Sequence, residues 1–178
     1  YVYLNPPFGT KTILTDLSIL KNYELGKDLK KQEIGILFIE RSLNLLKNNG
    51  VAFIIVPSGY LGNSANNYIN LRKYLLKYRI ISVLRLPHNC FARSGTGVST
   101  YLLVINKVIT EEPYDIFIKD INNIGYELHK KNTPIKYKKN SNKYILDNKG
   151  FPVVNNDLEA ILNELKYFCD KNNLNCLK

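Results

Sequence analysis

Apolar positions in this chain follow two periods, and the switch between them marks the elements. From about Gln32 to Lys47 they recur at helical spacing. Ile34, Leu37, Phe38 and Leu45 share one face, and Ile36, Ile39, Leu43 and Leu46 widen it. A stripe that wide predicts a helix packed on a sheet, and Asn49-Gly50 is its stop signal. Val51 to Val56 is an unbroken apolar run, which predicts a strand buried on both faces, as in parallel sheets, closed by Pro57-Ser58-Gly59. A cap at Asn63 or Ser64 opens a second helix through about Tyr78, with Ile69, Arg72, Leu75 and Leu76 at helical spacing. Ile80 to Leu86, Val98 to Lys107 and the shorter Tyr114 to Lys119 read as strands. A last helix runs from about Asp157 to Lys171, with Leu158, Ile161, Leu162, Leu165 and Phe168 on one face. At the front, the β-prone Val2 to Leu4 stops at Asn5-Pro6-Pro7, because successive prolines cannot continue a ladder.

This order predicts an α/β sheet. The first strands are expected to be parallel, because helices connect them, and the loop-only connection at residues 87–97 predicts one antiparallel partner. Residues 10–31 read as an irregular basic loop with Lys27, Lys30 and Lys31 clustered. Residues 120–150 are polar and rich in Asn and Lys. Two parts are therefore expected, a sheet-bearing part over 1–120 and a basic extension with a terminal helix over 121–178. There is no internal repeat.

A length of 178 residues suits one domain with a real core, and 45% apolar residues is ordinary for a globular chain. No apolar run approaches a membrane span, and no charged-then-apolar leader is visible. The chain begins at Tyr1 and contains no Met, so it is read as a piece of a longer protein. The formal charge of +10 favours a polyanionic partner through phosphate contacts. A Lys- and Asn-rich composition without functional meaning explains it equally well. Cys90, Cys169 and Cys176 lack metal-ligand spacing and read as reduced thiols of a cytoplasmic protein. His88 and His129 have no partner at ligand spacing, so no metal is expected. Lys136-Tyr137-Lys138-Lys139 with Lys143-Tyr144 suits phosphate contact and base stacking, or is simply a solvated loop. Arg72 and Lys73 read as surface charges. Asp16, Glu24 and Glu33 stay unassigned.

Asn-Pro-Pro-aromatic is expected by chance on the order of once in 10⁵ positions. It could be a plain rigid turn, but here it stands at a strand exit, where open α/β sheets bind ligands. An exocyclic amine on a base is a poor nucleophile, since its lone pair is delocalised into the ring. A site accepting both N–H bonds favours a pyramidal nitrogen with a free lone pair. The Asn5 side-chain oxygen can accept one and the Pro6 carbonyl the other. Pro6 and Pro7 stiffen the backbone and add no competing donor. Phe8 offers a flat face for a flipped base.

Tyr3-Leu4-Asn5-Pro6-Pro7-Phe8-Gly9 resembles the catalytic motif of amino-group DNA methyltransferases. Phe38 to Leu43 and Leu45 to Ala52 resemble the helix, turn and strand that follow it, and Val56 to Leu61 the exit loop. Cys90 to Thr100 is similar to the loop and strand start of modification subunits of type I restriction systems and of fused restriction-methylation enzymes, as is Asn122 to Tyr126. The likeness covers about residues 1–160. It implies a partial Rossmann-like fold of the S-adenosylmethionine-dependent methyltransferases, a mostly parallel sheet with one antiparallel strand and its first strands missing. It implies methyl transfer from S-adenosylmethionine to adenine N6 in double-stranded DNA, within a restriction-modification system of the bacterial cytoplasm. Asn5 and Pro6 would hold the amine, Pro7 would stiffen the turn, Phe8 would stack on the base, and Phe91 would touch it from another side. Packing beside Cys90 is the plainer reading of Phe91. The partners implied are DNA, specificity and restriction subunits, and the N-terminal half of the catalytic domain. The glycine-rich donor loop would lie before Asn5, so cofactor-binding residues are unknown here. Strands expected beside residues 1–5 are absent from this chain, which would leave the first strand an exposed edge. RNA guanine-N2 or protein glutamine methylation, and a non-catalytic DNA-binding or assembly piece, remain open alternatives.

Overall fold

The computed structural model describes residues 1–8, 12–88, 90–91, 97–128 and 134–174. Of the positions singled out above, Gly9, Ala92 to Thr96, His129 and Cys176 lie outside the described residues. The chain forms two compact units: Tyr1–Leu84 with Tyr101–Ile118, and Arg85–Thr100 with the residues from Lys119 onward.

Five strands build the main sheet: β1 (Val2–Leu4), β4 (Val51–Pro57), β5 (Tyr78–Arg85), β6 (Thr100–Ile109) and β7 (Phe117–Asp120). Their order is β1-β4-β6-β5-β7, so β1 is an edge with β4 as its neighbour. Those two are parallel, with Val2, Tyr3 and Leu4 opposite Ala52, Phe53 and Ile54. The connection between them carries helix α2 (Ile34–Leu45). The start of β4 lies beside the end of β6. Asn49 N–H donates to the Lys107 carbonyl at 3.1 Å, and Lys107 N–H to the Gly50 carbonyl at 2.8 Å. The end of β5 lies beside the start of β6, where Leu86 N–H donates to the Thr100 carbonyl at 2.9 Å. β6 therefore runs against both neighbours and is the expected antiparallel strand. β7 ends beside the end of β5, through Ile121 N–H on the Arg85 carbonyl at 2.8 Å, and so is parallel to it.

The core lies under α2. Ile36, Ile39 and Leu43 are buried among Ala52, Ile54 and Val56 of β4 and Leu103 and Ile105 of β6. Burying each of these large side chains contributes about 1.5–3 kcal/mol. The face that the periodicity put second is thus the buried one, while Phe38 and Leu45 are exposed. Asn49 takes the left-handed backbone (φ 62°) that lets the chain turn from α2 into β4. β4 is fully buried on the face of Ala52, Ile54 and Val56, and on the other face Val51 and Pro57 are buried with Phe53 and Ile55 half-buried between them.

Within the segment expected to be an irregular loop, residues 12–31 are more regular than expected. β2 (Ile13–Leu14) pairs antiparallel with β3 (Gln32–Glu33). Between them sits a short helix, α1 (Leu17–Leu20), capped by Asp16, whose Oδ1 accepts from Ser18 N at 2.8 Å. A five-residue helix, α3 (Ser58–Gly62), follows β4, and α4 (Asn66–Leu75) begins later than the sequence predicts. Asn63 does not cap it; its Oδ1 accepts from Ala65 N at 2.8 Å, forming a turn ahead of the helix.

The second unit holds isolated bridges at Ile124–Asn156, Tyr126–Ile135, Tyr137–Val154 and Leu146–Pro152. It also holds a hairpin of β8 (Lys139–Asn140) with β9 (Lys143–Tyr144), and helix α5 (Leu158–Lys171). α5 buries Ile161, Leu165 and Cys169, while Leu158 and Leu162 stay exposed. Cys169 is disulfide-bonded, which corrects the expectation of a reduced thiol there, and Cys90 is free. Among the described residues no helix is long and apolar enough to cross a membrane, and no group of three or more His, Cys, Asp or Glu could hold a metal ion.

Candidate active site

Asn5 to Phe8 leave β1 at its carboxyl end, beside the carboxyl end of the parallel β4, the position where open α/β sheets hold ligands. The Asn5 side chain is exposed, and its amide is uncommitted among the described residues. Pro6 is buried, Pro7 exposed and Phe8 half-buried, so one proline anchors the turn. Below the motif, Val2 and Leu4 pack against the core. On the other face of the sheet Tyr3 stacks on Phe53, with ring centroids 5.0 Å apart and planes 12° apart.

Gly35, in the first turn of α2, braces this turn. A Cβ built there would lie 2.7 Å from the Pro7 carbonyl oxygen and 2.5 Å from the Tyr60 hydroxyl oxygen. Only a glycine lets the helix, the motif backbone and that hydroxyl meet. Tyr60 is buried on α3, and its hydroxyl donates to Glu33 Oε2 at 3.1 Å. Tyr68, on α4, donates to the other oxygen of Glu33. Burial, with the neighbouring Glu33 carboxylate, pushes the Tyr60 hydroxyl above its ordinary range, and the Tyr68 hydroxyl rises for the same reasons. Both therefore stay protonated donors, and Glu33 ties three elements together behind the motif. Arg72 adds to this frame: its Nη1 donates to the carbonyls of Tyr60 at 3.1 Å and Asn63 at 2.9 Å. It is a tether and not the plain surface charge expected.

Replacing Gly35 by alanine tests the brace by its sign. In an ordinary helix the change gains about 0.5–1 kcal/mol. Here overpacking costs about 1–3 kcal/mol, so the expected outcome in a denaturant melt is a loss of stability. A more stable variant would show that the contact is loose.

The sequence singled out the motif but not this support. Asp16 proves to be a helix cap, Glu24 a surface partner of Lys77, and Glu33 the hub under the motif. Glu40 was also missed. It is 2% exposed, and its two oxygens accept from Glu24 N at 2.7 Å and Leu25 N at 2.8 Å. A legible signal existed: Glu40 falls four residues after Ile36 and three before Leu43, on the apolar stripe of α2.

Phe91 belongs to the second unit, in a half-buried turn where Cys90 N–H donates to the Pro87 carbonyl at 3.1 Å. Cys90 is half-buried, and burial raises its thiol above the usual range. His88 Nδ1 lies 3.4 Å from Ser99 Oγ. The Asn122–Asn123 turn is held by Asp157, which accepts from their N–H groups at 3.0 and 2.8 Å. Burial works to raise the Asp157 carboxyl, but these donors and the nearby Lys138 bring it below the ordinary range.

A protein of Methanocaldococcus jannaschii named as a type II restriction enzyme and methyltransferase is 33% identical over 104 residues, which make up 58% of this chain and 8% of that protein. A Vibrio vulnificus protein named as the modification subunit of a type I restriction enzyme superposes with TM-score 0.58 at 24% identity, over 89% of this chain and 39% of its own. A Listeria monocytogenes protein named as a class I S-adenosylmethionine-dependent methyltransferase gives 0.54 at 21%, over 67% of this chain and 35% of its own. The chain thus spans no more than about two fifths of the length of these relatives, and at such identities the two structures establish the fold, a methyltransferase-type α/β sheet. The family model described as N-6 DNA Methylase matches residues 1–174, and the chain belongs to that family.

Proposed function

We propose that this chain forms the acceptor side of a DNA methyltransferase that moves a methyl group from S-adenosylmethionine to N6 of adenine, in a restriction-modification system of the cytoplasm. The observation that carries this reading is the uncommitted Asn5 amide at a parallel strand end, on a backbone braced at Pro7 by Gly35. The Asn5 side-chain oxygen accepts one N–H of the target amine and the Pro6 carbonyl the other. Both bonds draw the nitrogen lone pair out of the ring, toward attack on the methyl carbon. The proton then lost from nitrogen needs no strong base, because it leaves a cationic amine. Phe8 stacks on the flipped base, Pro7 stiffens the turn, and Phe91 is a second base contact.

The donor supplies an electrophilic methyl on a sulfonium. In this reading the main donor-binding loop and the strands flanking β1 belong to the N-terminal half of the catalytic domain, which acts as a partner of this chain. Residues 1–120 act as the end of the catalytic domain, and 121–178 as its basic extension. Double-stranded DNA and restriction-system subunits are the partners. The test is expression of the complete reading frame in a host without adenine methylation, followed by nucleoside analysis of host DNA. N6-methyladenine is the expected product. Its absence from DNA despite soluble protein and any required subunit would overturn the reading and turn attention to RNA guanine-N2 and protein glutamine.

A further inference from the structure

The second unit carries a surface that the catalytic reading does not use. Residues 134–154 hold five lysines against one aspartate. They are not a bare loop. Lys136 N–H donates to the Gly125 carbonyl at 2.9 Å, Lys138 N–H to Val153 at 2.8 Å, and Ile145 N–H to Lys138 at 3.0 Å. Two clefts meet at Lys136. One, of about 500 Å³, is lined by His88, Asn122, Asn123 and Tyr126 among others; the second, of about 300 Å³, by Tyr137, Lys139, Tyr144 and Asn155. Among the described residues Glu127 is the one carboxylate in either lining.

Tyr137 and Tyr144 meet edge to face with centroids 5.8 Å apart, and the Lys139 ammonium sits 4.9 Å from the Tyr144 ring centre. Lys136, Lys139 and Lys143 have no salt bridge among the described residues. Among the described residues Lys136 Nζ makes a long contact, 3.4 Å, with Asn123 Oδ1. Asp157 and Asn155 hold Asn123 in place, so the floor of the larger cleft is preorganised.

We infer that these adjoining clefts, walled by the Lys139–Tyr144 hairpin, form a groove that takes the sugar-phosphate backbone of duplex DNA. Ammonium groups without a carboxylate partner among the described residues, with side-chain amides beside them, suit phosphate oxygens, and an apolar protein partner would leave the lysines desolvated without a counter-charge. The inference rests on the DNA-methylation reading and extends it to a sequence-independent contact.

The test uses the complete protein with unmodified duplex DNA. Lys136→Gln, Lys139→Gln and Lys143→Gln are combined in one variant; Lys21→Gln, Lys73→Gln and Lys166→Gln in a second remove equal charge elsewhere. Each lysine that meets a phosphate contributes roughly 0.9 to the slope of log affinity against log salt. The groove variant is expected to lose about 2–3 from that slope, with kcat at saturating DNA retained and KM for DNA raised. The control is expected to keep the parent slope. A groove variant with the parent slope, or one matched by the control, overturns the inference even if the variant also loses an associated subunit. A parent that binds DNA but never methylates it overturns the methylation reading instead, and the slope comparison still decides the groove.

Discussion

Replacing Asn5 by alanine is expected to lower kcat by about 10²–10³, the usual consequence of losing one preorganised polar partner of a transition state. KM for DNA should change little. The bond from the amine to Asn5 matters most when the nitrogen pyramidalises, so its loss is a transition-state loss and not a binding loss. Stability should hold as well, because Asn5 is exposed and bonds to nothing among the described residues. Asn5→Asp keeps an acceptor oxygen at the same place and should recover part of the rate. Single-turnover methylation at saturating DNA reads the first effect, and a thermal melt guards the second. An alanine variant with undiminished kcat would remove Asn5 from the mechanism. A loss of rate matched by a loss of fold would make its role structural.

The sheet could be read from the chain because each strand carries a local signal. The Val51 to Val56 run, the prolines after Leu4 and Val56, and the Asn49-Gly50 pair that permits a tight turn each act on the backbone within a few residues. The antiparallel β6 followed from chain length alone, since the eleven residues 87–97 make a short loop rather than the helical crossover that parallel strands need. What stayed hidden depends on contacts far apart in sequence. Glu33 meets Tyr60 and Tyr68 across 27 and 35 positions, and Gly35 is constrained by Pro7 and Tyr60. No local pattern separates that glycine from one in an ordinary turn. The short β2–β3 pair was missed for a similar reason: two-residue strands have no period to read. The motif itself was legible because its chemistry sits in four adjacent residues; the frame that aims it is spread over three elements.

Glu40→Ala is expected to be strongly destabilising. The carboxylate is buried beside α2 and accepts both the Glu24 and Leu25 N–H groups. Hydrogen bonds to a charged group contribute about 1.5–3 kcal/mol each, and orphaned buried donors add to the loss. A total of about 3–5 kcal/mol follows, or roughly 6–20 °C in the melting temperature for a protein of this size. Glu40→Gln keeps one acceptor but turns an amide donor toward the other N–H, so it should fall between the alanine variant and the parent. The loss is directional. Gln32 Nε2 donates to the Leu25 carbonyl at 2.6 Å, so releasing Leu25 also loosens β3, which leads into Glu33 and Gly35 under the motif. The segment with Lys27, Lys30 and Lys31 should then open before the core does, and trypsin should cut there at temperatures where the parent resists. Cleavage at the parent's rate, with an unchanged melt, would mean that the buried carboxylate is not what pins this segment to α2.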